Sequence, residues 1–237
     1  MARFFLPETV LGIDQVVTLP ADVLKHLRTV LRIKPGAEVD LLDGMGQVAR
    51  ASIVEDFSAR VLALRYEPAP VCHLSLIQGV PKGEKLELVL QKGTELGVNA
   101  FFPTQMERSV GKLKADREQK RLVRWQRIIQ AAACQSGQAY LPQLELKSSL
   151  DSAIDAIEAD LKLILWEESA QPLDLLLPES PPQRVAVIVG PEGGITEQEA
   201  ENAAAAGYQS VSLGPRILRT ETAGLAIMTI LQYLYGD

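Results

Sequence analysis

The sequence predicts an α/β protein, with a mainly parallel sheet over residues 71–237 preceded by a small β-barrel over residues 1–70. Three observations carry this. Short apolar runs separated by turn signals fill the first 70 residues, the spacing of a small all-β module. Glu67-Pro68-Ala69-Pro70 then reads as a short, stiff linker. Beyond it apolar strands alternate with amphipathic helices, the pattern of a parallel sheet covered by helices.

In the first module, strands are expected at 39–42, 47–54 and 60–66, with Asp43-Gly44-Met45-Gly46 turning between the first two. One helix, 21–31, starts directly after Pro20. The second region opens with strand 74–80, helix 85–96, strand 100–103 and a long amphipathic helix at 117–133. Strands 161–165, 185–189 and 209–213 follow, with helices at 197–206 and 221–235, while 178–182 reads as a surface loop. The last helix is apolar on nearly every side, through Leu225, Ile227, Met228, Ile230, Leu231, Tyr233 and Leu234. Such a helix calls for burial on more than one face, by central packing or at a subunit interface.

The chain has 237 residues, 47% apolar and 23% charged, which is ordinary globular usage and ample for a core. No apolar run approaches the ~20 residues that span a bilayer. Glu8 and Asp14 interrupt the first 15 residues, where a signal peptide would need an apolar stretch. Cys72 and Cys134 have neither metal nor redox spacing and read as reduced thiols, so a cytoplasmic location is expected. The net charge of −6 is divided unevenly. Residues 1–130 carry nineteen basic and fifteen acidic residues, and the remainder five basic against fifteen acidic. Between 108 and 127 stand Arg108, Lys112, Lys114, Arg117, Lys120, Arg121, Arg124 and Arg127, opposed only by Asp116 and Glu118. Alone, such a run is a solvated helix face. Beside Lys25, Arg28, Arg32 and Lys34, and Lys82, Lys85 and Lys92, it becomes a candidate nucleic-acid surface.

Two strand-to-helix corners carry the chemistry. Gly190-Pro191-Glu192-Gly193-Gly194-Ile195 follows the apolar run 185–189, and Thr196 with Glu199 reads as a capping box. About twenty residues on, Leu213-Gly214-Pro215-Arg216-Ile217-Leu218-Arg219 leads into Thr220-Glu221. Ligands of α/β proteins sit at such places, outside the carboxyl ends of strands. The first corner is neither the dinucleotide fingerprint nor a P-loop, and the acidic half that holds it is a poor host for a polyphosphate. S-adenosylmethionine suits it better, having a cationic sulfonium and no phosphate. Two tight turns without a ligand are the plain alternative.

The run 188–223, with its GPEGG and LGPRILRTETA segments, resembles the C-terminal signature of the RsmE family. These are 16S ribosomal RNA uridine N3-methyltransferases of the knotted SPOUT superfamily. The likeness extends to Lys82-Gly83-Glu84-Lys85-Leu86-Glu87, residues 91–98, Glu107-Arg108-Ser109, residues 124–128, Arg3-Phe4-Phe5 and residues 26–32. It covers essentially the whole chain. Ala133-Cys134-Gln135-Ser136-Gly137-Gln138 departs from the family pattern, with Cys134 and Gln138 where charged residues are usual.

The resemblance implies a PUA-like RNA-binding barrel, a SPOUT-type domain with a deep trefoil knot tied from about Lys162 onward, and a homodimer that binds 16S rRNA of the small ribosomal subunit across both subunits. It implies that Leu165-Trp166-Glu167 meets the two glycine-rich corners around S-adenosylmethionine. Gly190, Pro191, Glu192, Gly193, Gly194 and Gly214 would then supply close backbone approach, and Leu165, Ile195, Leu213, Ile217 and Leu218 the apolar lining. Arg219 and Glu221 are the catalytic candidates, one for charge on a uracil oxygen and one for the N3 proton. Arg3, Arg28, Arg32, Lys82, Lys92, Arg108, Arg127 and Gln135 are the RNA-contact candidates. His26 and His73 are weaker ones, and no metal or membrane is expected. Two rivals remain: an RNA-binding assembly factor that keeps the fold without methyl transfer, and a knotted enzyme acting on transfer RNA.

Overall fold

The computed structural model describes residues 1–7, 9–110, 115–168 and 171–236, with the backbone alone for 115–117. Lys112, Lys114 and the Arg117 side chain therefore lie outside the described residues. The chain divides into two compact units, Met1–Ala69 with Ala133–Leu141, and Pro70–Ala132 with Pro142–Asp237.

The first unit holds β1 (Ala2–Phe5), β2 (Val16–Val17), β3 (Glu38–Leu42), β4 (Gln47–Ile53) and β5 (Ala59–Tyr66) in the order β1-β3-β4-β5-β2. β1 runs parallel to β3, and the other ladders are antiparallel. Inward residues of all five strands, among them Phe4, Val17, Leu41, Ala51 and Val61, share one core with Leu27, so the sheet wraps around it. The expected single helix at 21–31 is divided. α1 (Ala21–Lys25) gives way to a π-helical turn (His26–Val30), in which Leu31 N–H reaches back five residues to the His26 carbonyl. Thr29 donates its hydroxyl to the Lys25 carbonyl at 2.5 Å, a side-chain competitor for the helix ladder. Arg32, at φ 51°, ends the turn in the left-handed region. Residues 133–141, which the sequence pattern assigns elsewhere, pack Ala133 and Ala139 against Phe5, Leu42 and Val48.

The second unit contains β6 (His73–Gly79), α2 (Lys85–Glu95), β7 (Ala100–Thr104), α3 (Ala115–Ser136, whose last turn belongs to the first unit), β8 (Gln143–Leu144) and α4 (Leu150–Asp155). It continues through β9 (Leu161–Leu165), β10 (Gln171–Pro172), β11 (Arg184–Val189), α5 (Glu197–Ala205), β12 (Gln209–Ser212) and α6 (Thr220–Tyr235). Its seven strands run β10-β12-β9-β11-β6-β7-β8, and every ladder is parallel. β6, β7 and β11 are buried on both faces, which is why they read as mainly apolar rather than alternating, with Ser75, Gln78 and Thr104 as buried polar residues. α4 had no periodic signal in six residues; its start is fixed by a reciprocal Ser149–Ser152 capping box. α6 turns Gly224, Ile227, Met228 and Leu231 inward. Its other face is open, with Tyr233 88% and Leu234 41% exposed, so the expected burial on several faces is not met within this chain. No helix of the described residues is long and apolar enough to cross a membrane.

Candidate functional site

Because all seven strands are parallel, their carboxyl ends lie at one edge, and the connections leaving that edge build the site. Leu165 pairs with Val189, and Ile164 with Ser210, so the ends of β9, β11 and β12 stand side by side. The Ser210 hydroxyl donates to the Trp166 carbonyl at 2.8 Å, tying the chain after β9 to β12. Leu165, Trp166, the 190–196 corner and the β12 end are thus brought together.

The first corner is held from three sides. Gly194, at φ 78°, donates its N–H to the Pro191 carbonyl at 2.9 Å and closes the turn. Thr196 and Glu199 form the expected capping box of α5, and the Glu199 carboxylate also accepts Glu107 N–H at 2.9 Å. Arg108 points to the Gly193 and Ile195 carbonyls, 3.4 Å from each. From below, Gly79 makes room for Pro191: a Cβ there would lie 2.5 Å from Pro191 Cδ and 2.6 Å from its nitrogen. Ile195 is buried in the core beside Ile164 and Ile188.

The second corner is more open. Gly214 takes φ 111°, the Ser212 hydroxyl donates to its carbonyl, and Ile217 is 85% exposed. Leu213 and Leu218 are partly buried, and Glu167 is exposed. Arg219 caps α6 without a side-chain hydrogen bond and is exposed. Thr220, one residue on, is buried. Its hydroxyl donates to the Gly190 carbonyl at 2.5 Å and accepts from Gln78 Nε2 at 2.8 Å. That relay joins β6, the first corner and the start of α6.

Two glutamates, one from each corner, meet a single lysine. Lys85 Nζ lies 2.9 Å from Glu192 Oε1 and 3.5 Å from Glu221 Oε2. Glu192 also accepts the Lys82 N–H through both oxygens at 3.2 Å. Burial pushes the Glu192 carboxyl up, but the Lys85 hydrogen bond, the backbone N–H groups of Glu192 and Lys82 and the Lys85 charge outweigh it, so its pKa lies below the ordinary value. The Glu192 hydrogen bond in turn raises Lys85. Glu221 Oε2 is buried and its long approach to Lys85 makes no hydrogen bond.

Several of the basic residues read as a nucleic-acid surface are otherwise engaged. Lys85 belongs to the glutamate pair, Lys92 bonds Glu95 at 2.8 Å, and Arg124 reaches Glu87 at 2.6 Å. Each of these three thus has an acidic neighbour, distant in sequence or a turn away, while its side chain stays partly exposed. Arg127 and Lys82 are exposed. In the first unit, Arg28 lies 4.2 Å over the Phe57 ring, Arg32 and Gln135 are exposed, and Arg3 pairs with buried Asp40 at 3.8 Å. His26 stands edge-on to Phe4, and His73 is depressed by burial and then by the Arg184 charge. Cys134 is partly buried against the Phe5 cluster. Among the described residues no group of three His, Cys, Asp or Glu has the arrangement of a metal centre.

A parallel sheet with glycine-rich corners at its carboxyl edge, joined to a small β unit, is the architecture of an α/β protein that holds its ligand at the sheet edge. The chain belongs to the RNA methyltransferase family, whose domain model matches residues 67–232; an RNA methyltransferase PUA domain matches 19–58. A Bacillus subtilis protein named ribosomal RNA small subunit methyltransferase E is 31% identical over 256 residues, covering 100% of both chains. A Neisseria gonorrhoeae protein of that name, solved bound to S-adenosylmethionine, is 38% identical with a TM-score of 0.89, covering 100% of this chain and 99% of its own. A Legionella pneumophila methyltransferase in complex with the same cofactor is 32% identical with a TM-score of 0.91, covering 100% and 98%. The family resemblance read from the motifs is borne out.

Proposed function

We propose that the protein transfers a methyl group from S-adenosylmethionine to N3 of a uridine in the 16S ribosomal RNA of the small ribosomal subunit. The observation that carries this reading is the meeting of the two glycine-rich corners, through Thr220 on Gly190 and through Lys85 between Glu192 and Glu221. The donor set suits this cofactor. Gly190 and Gly193 let the corner pack tightly on itself and on Arg108, for a Cβ at Gly193 would lie 2.7 Å from the Arg108 carbonyl oxygen. The carboxylates at the edge favour a cation. When bound, S-adenosylmethionine supplies an electrophilic methyl carbon to which N3 bonds as the carbon–sulfur bond breaks, its electron pair staying on sulfur.

The protein supplies alignment, which contributes up to ~7–11 kcal/mol in favourable cases. The backbone of 190–195 and 213–218 holds the adenosyl group, with Leu165, Trp166, Leu213, Ile217 and Leu218 as apolar lining and Glu167 at the rim. Glu221 accepts the N3 proton, help typically worth ~10²–10⁴-fold, and Arg219 balances negative charge on a uracil oxygen. Arg3, Arg28, Arg32, Lys82, Arg108, Arg127 and Gln135 hold RNA. Lys92, partly exposed beside Glu95, joins them. The return of the chain from β12, across β9 and β11, to seat Thr220 on Gly190 supports a trefoil knot. The open face of α6, with Ile230, Tyr233 and Leu234, supports a homodimer, and the family activity supports work in the cytoplasm without metal.

The test incubates the purified protein with labelled cofactor and small subunits from cells lacking the modification, followed by nucleoside mass spectrometry. The expected product is 3-methyluridine, formed far more slowly by Arg219→Ala and Glu221→Gln. Cofactor binding without a methylated nucleoside overturns the substrate; absence of both leaves a non-catalytic RNA-binding factor.

A further inference from the structure

The carboxyl edge of the sheet holds a charge cluster that neither the strand pattern nor the glycine motifs call for. Lys85 Nζ is 2.9 Å from Glu192 Oε1 and 3.5 Å from Glu221 Oε2. The glutamate side chains are 29% and 13% exposed and the lysine 35%, so all three are partly withdrawn from water. One cation stands between two anions, and the trio is left one negative charge in excess. Lys82, Arg108, Arg216 and Arg219 also stand at or beside the two corners, but all four are exposed, where solvent and salt screen them. Glu221 Oε2 is the telling atom. It is buried, makes no hydrogen bond and has only the longer half of the Lys85 interaction. A buried carboxylate oxygen so poorly compensated favours a further positive charge nearby.

We propose that the Lys85–Glu192–Glu221 trio makes the site discriminate by charge between the methyl donor and the spent product. This rests on the methyltransferase reading. S-adenosylmethionine carries a sulfonium, and S-adenosylhomocysteine carries a neutral thioether in the same skeleton. Shape therefore separates the two only by a methyl group, whereas charge separates them by a full unit. The negative charge that the trio leaves in excess holds the donor and loses its grip when the methyl leaves, so product release is built into the edge. Lys85 sets the size of that excess, being close enough to neutralise one glutamate and unable to neutralise both. It is a specificity-determining residue, acting through Glu192 and Glu221 rather than on the reacting atoms.

The direction of each substitution follows from Coulomb's law and does not depend on how the rest of the surface is charged. Dissociation constants for S-adenosylmethionine and S-adenosylhomocysteine are measured by calorimetry on full-length protein at low salt, without RNA. Thermal unfolding confirms that each variant is folded. In Lys85→Met the ratio of product to donor dissociation constant rises about threefold or more, while Lys85→Arg leaves it near the wild-type value. In Glu192→Gln and Glu221→Gln the ratio falls by a similar factor. Added salt narrows all of these differences. If both ligands bind and the ratio is the same in Lys85→Met, Glu221→Gln and wild type, the charge-discrimination proposal is wrong and the methyltransferase reading stands. If folded wild-type protein binds neither ligand, the methyltransferase reading fails, and this proposal with it.

Discussion

Thr220 is the residue on which the two corners depend, and Thr220→Val tests this almost isosterically. The hydroxyl makes two buried hydrogen bonds, donating to Gly190 and accepting from Gln78 Nε2. Valine keeps the branched shape and removes both. The Gly190 carbonyl then loses its partner in a buried setting, while Gln78 Nε2 keeps only its 3.2 Å bond to the Gly79 carbonyl. A buried polar group left without a partner costs about 1–3 kcal/mol. One full orphan and one partial orphan give a loss of about 3 kcal/mol, or a fall in Tm of about 6–12 °C for a unit of this size.

The assay is urea unfolding, with Thr220→Ser as control. Serine keeps the hydroxyl and loses one methyl group, a change of about 1 kcal/mol. Gln78→Leu combined with Thr220→Val should cost less than the sum of the single substitutions, since removing both partners spares the orphan. The reasoning is refuted if Thr220→Val stays within about 0.5 kcal/mol of wild type, or if serine is as damaging as valine.

Other substitutions and conditions follow from the same geometry. Gly79→Ala drives a methyl to 2.5 Å from the Pro191 ring; we expect a stability loss of about 1–3 kcal/mol together with weaker cofactor binding, and unaltered affinity would show that the corner yields freely. Glu192 is held below its ordinary pKa, so its pairing contributes stability that is present above the unfolded carboxyl value of ~4.3 and is lost as pH falls through the folded value. Wild type should therefore lose more stability than Glu192→Gln between about pH 5 and 3, and identical acid curves would remove the pair from the stability account. Cys72 is 2% exposed and burial, aided by Asp160, lifts its pKa to about 11. In a Cys134→Ser background, a thiol reagent at pH 8 should label it only at the rate of unfolding, and rapid labelling of native protein would contradict its burial.

What was legible in the sequence had a repeat long enough to read. β11 announces itself as an unbroken apolar run, residues 185–189, because it is buried on both faces. β6 and β9 are largely apolar around Ser75, Gln78 and Lys162, and α5 is marked by Thr196 and Glu199. β8 and β10, two residues each, carry no period at all. The π-helical turn was hidden because 21–31 has the composition of one helix, and composition does not foretell the Thr29 hydroxyl bonding to the Lys25 carbonyl. The division of α3 was hidden too, since Ala132 and Ala133 look alike and belong to different units. In the site, the glycine-rich corners could be read because their residue types are unusual. Their fastening could not. Gln78 and Thr220 are 142 positions apart, and Lys82 and Glu192 are 110 apart. Lys85 looked like part of a basic surface until the fold placed two glutamates beside it.

The start of α6 shows where local rules give way to function. The N-terminal end of a helix favours an anion by about 0.3–1 kcal/mol, and Glu221 in the first turn obeys this. Arg219, at the cap itself, opposes it, and its side chain offers no hydrogen bond to the helix in return. A serine or aspartate there would stabilise the helix by about 1 kcal/mol more. The helix is anchored instead by Thr220, through Gly190 and Gln78. Stability therefore gives no reason for a cation at position 219, while the proposed reaction, in which a uracil oxygen gains negative charge, would give one. Arg219→Ser separates the two explanations: a protein at least as stable as wild type that still binds the cofactor but methylates poorly assigns the arginine to the reaction, whereas a destabilised protein with normal turnover assigns it to the fold.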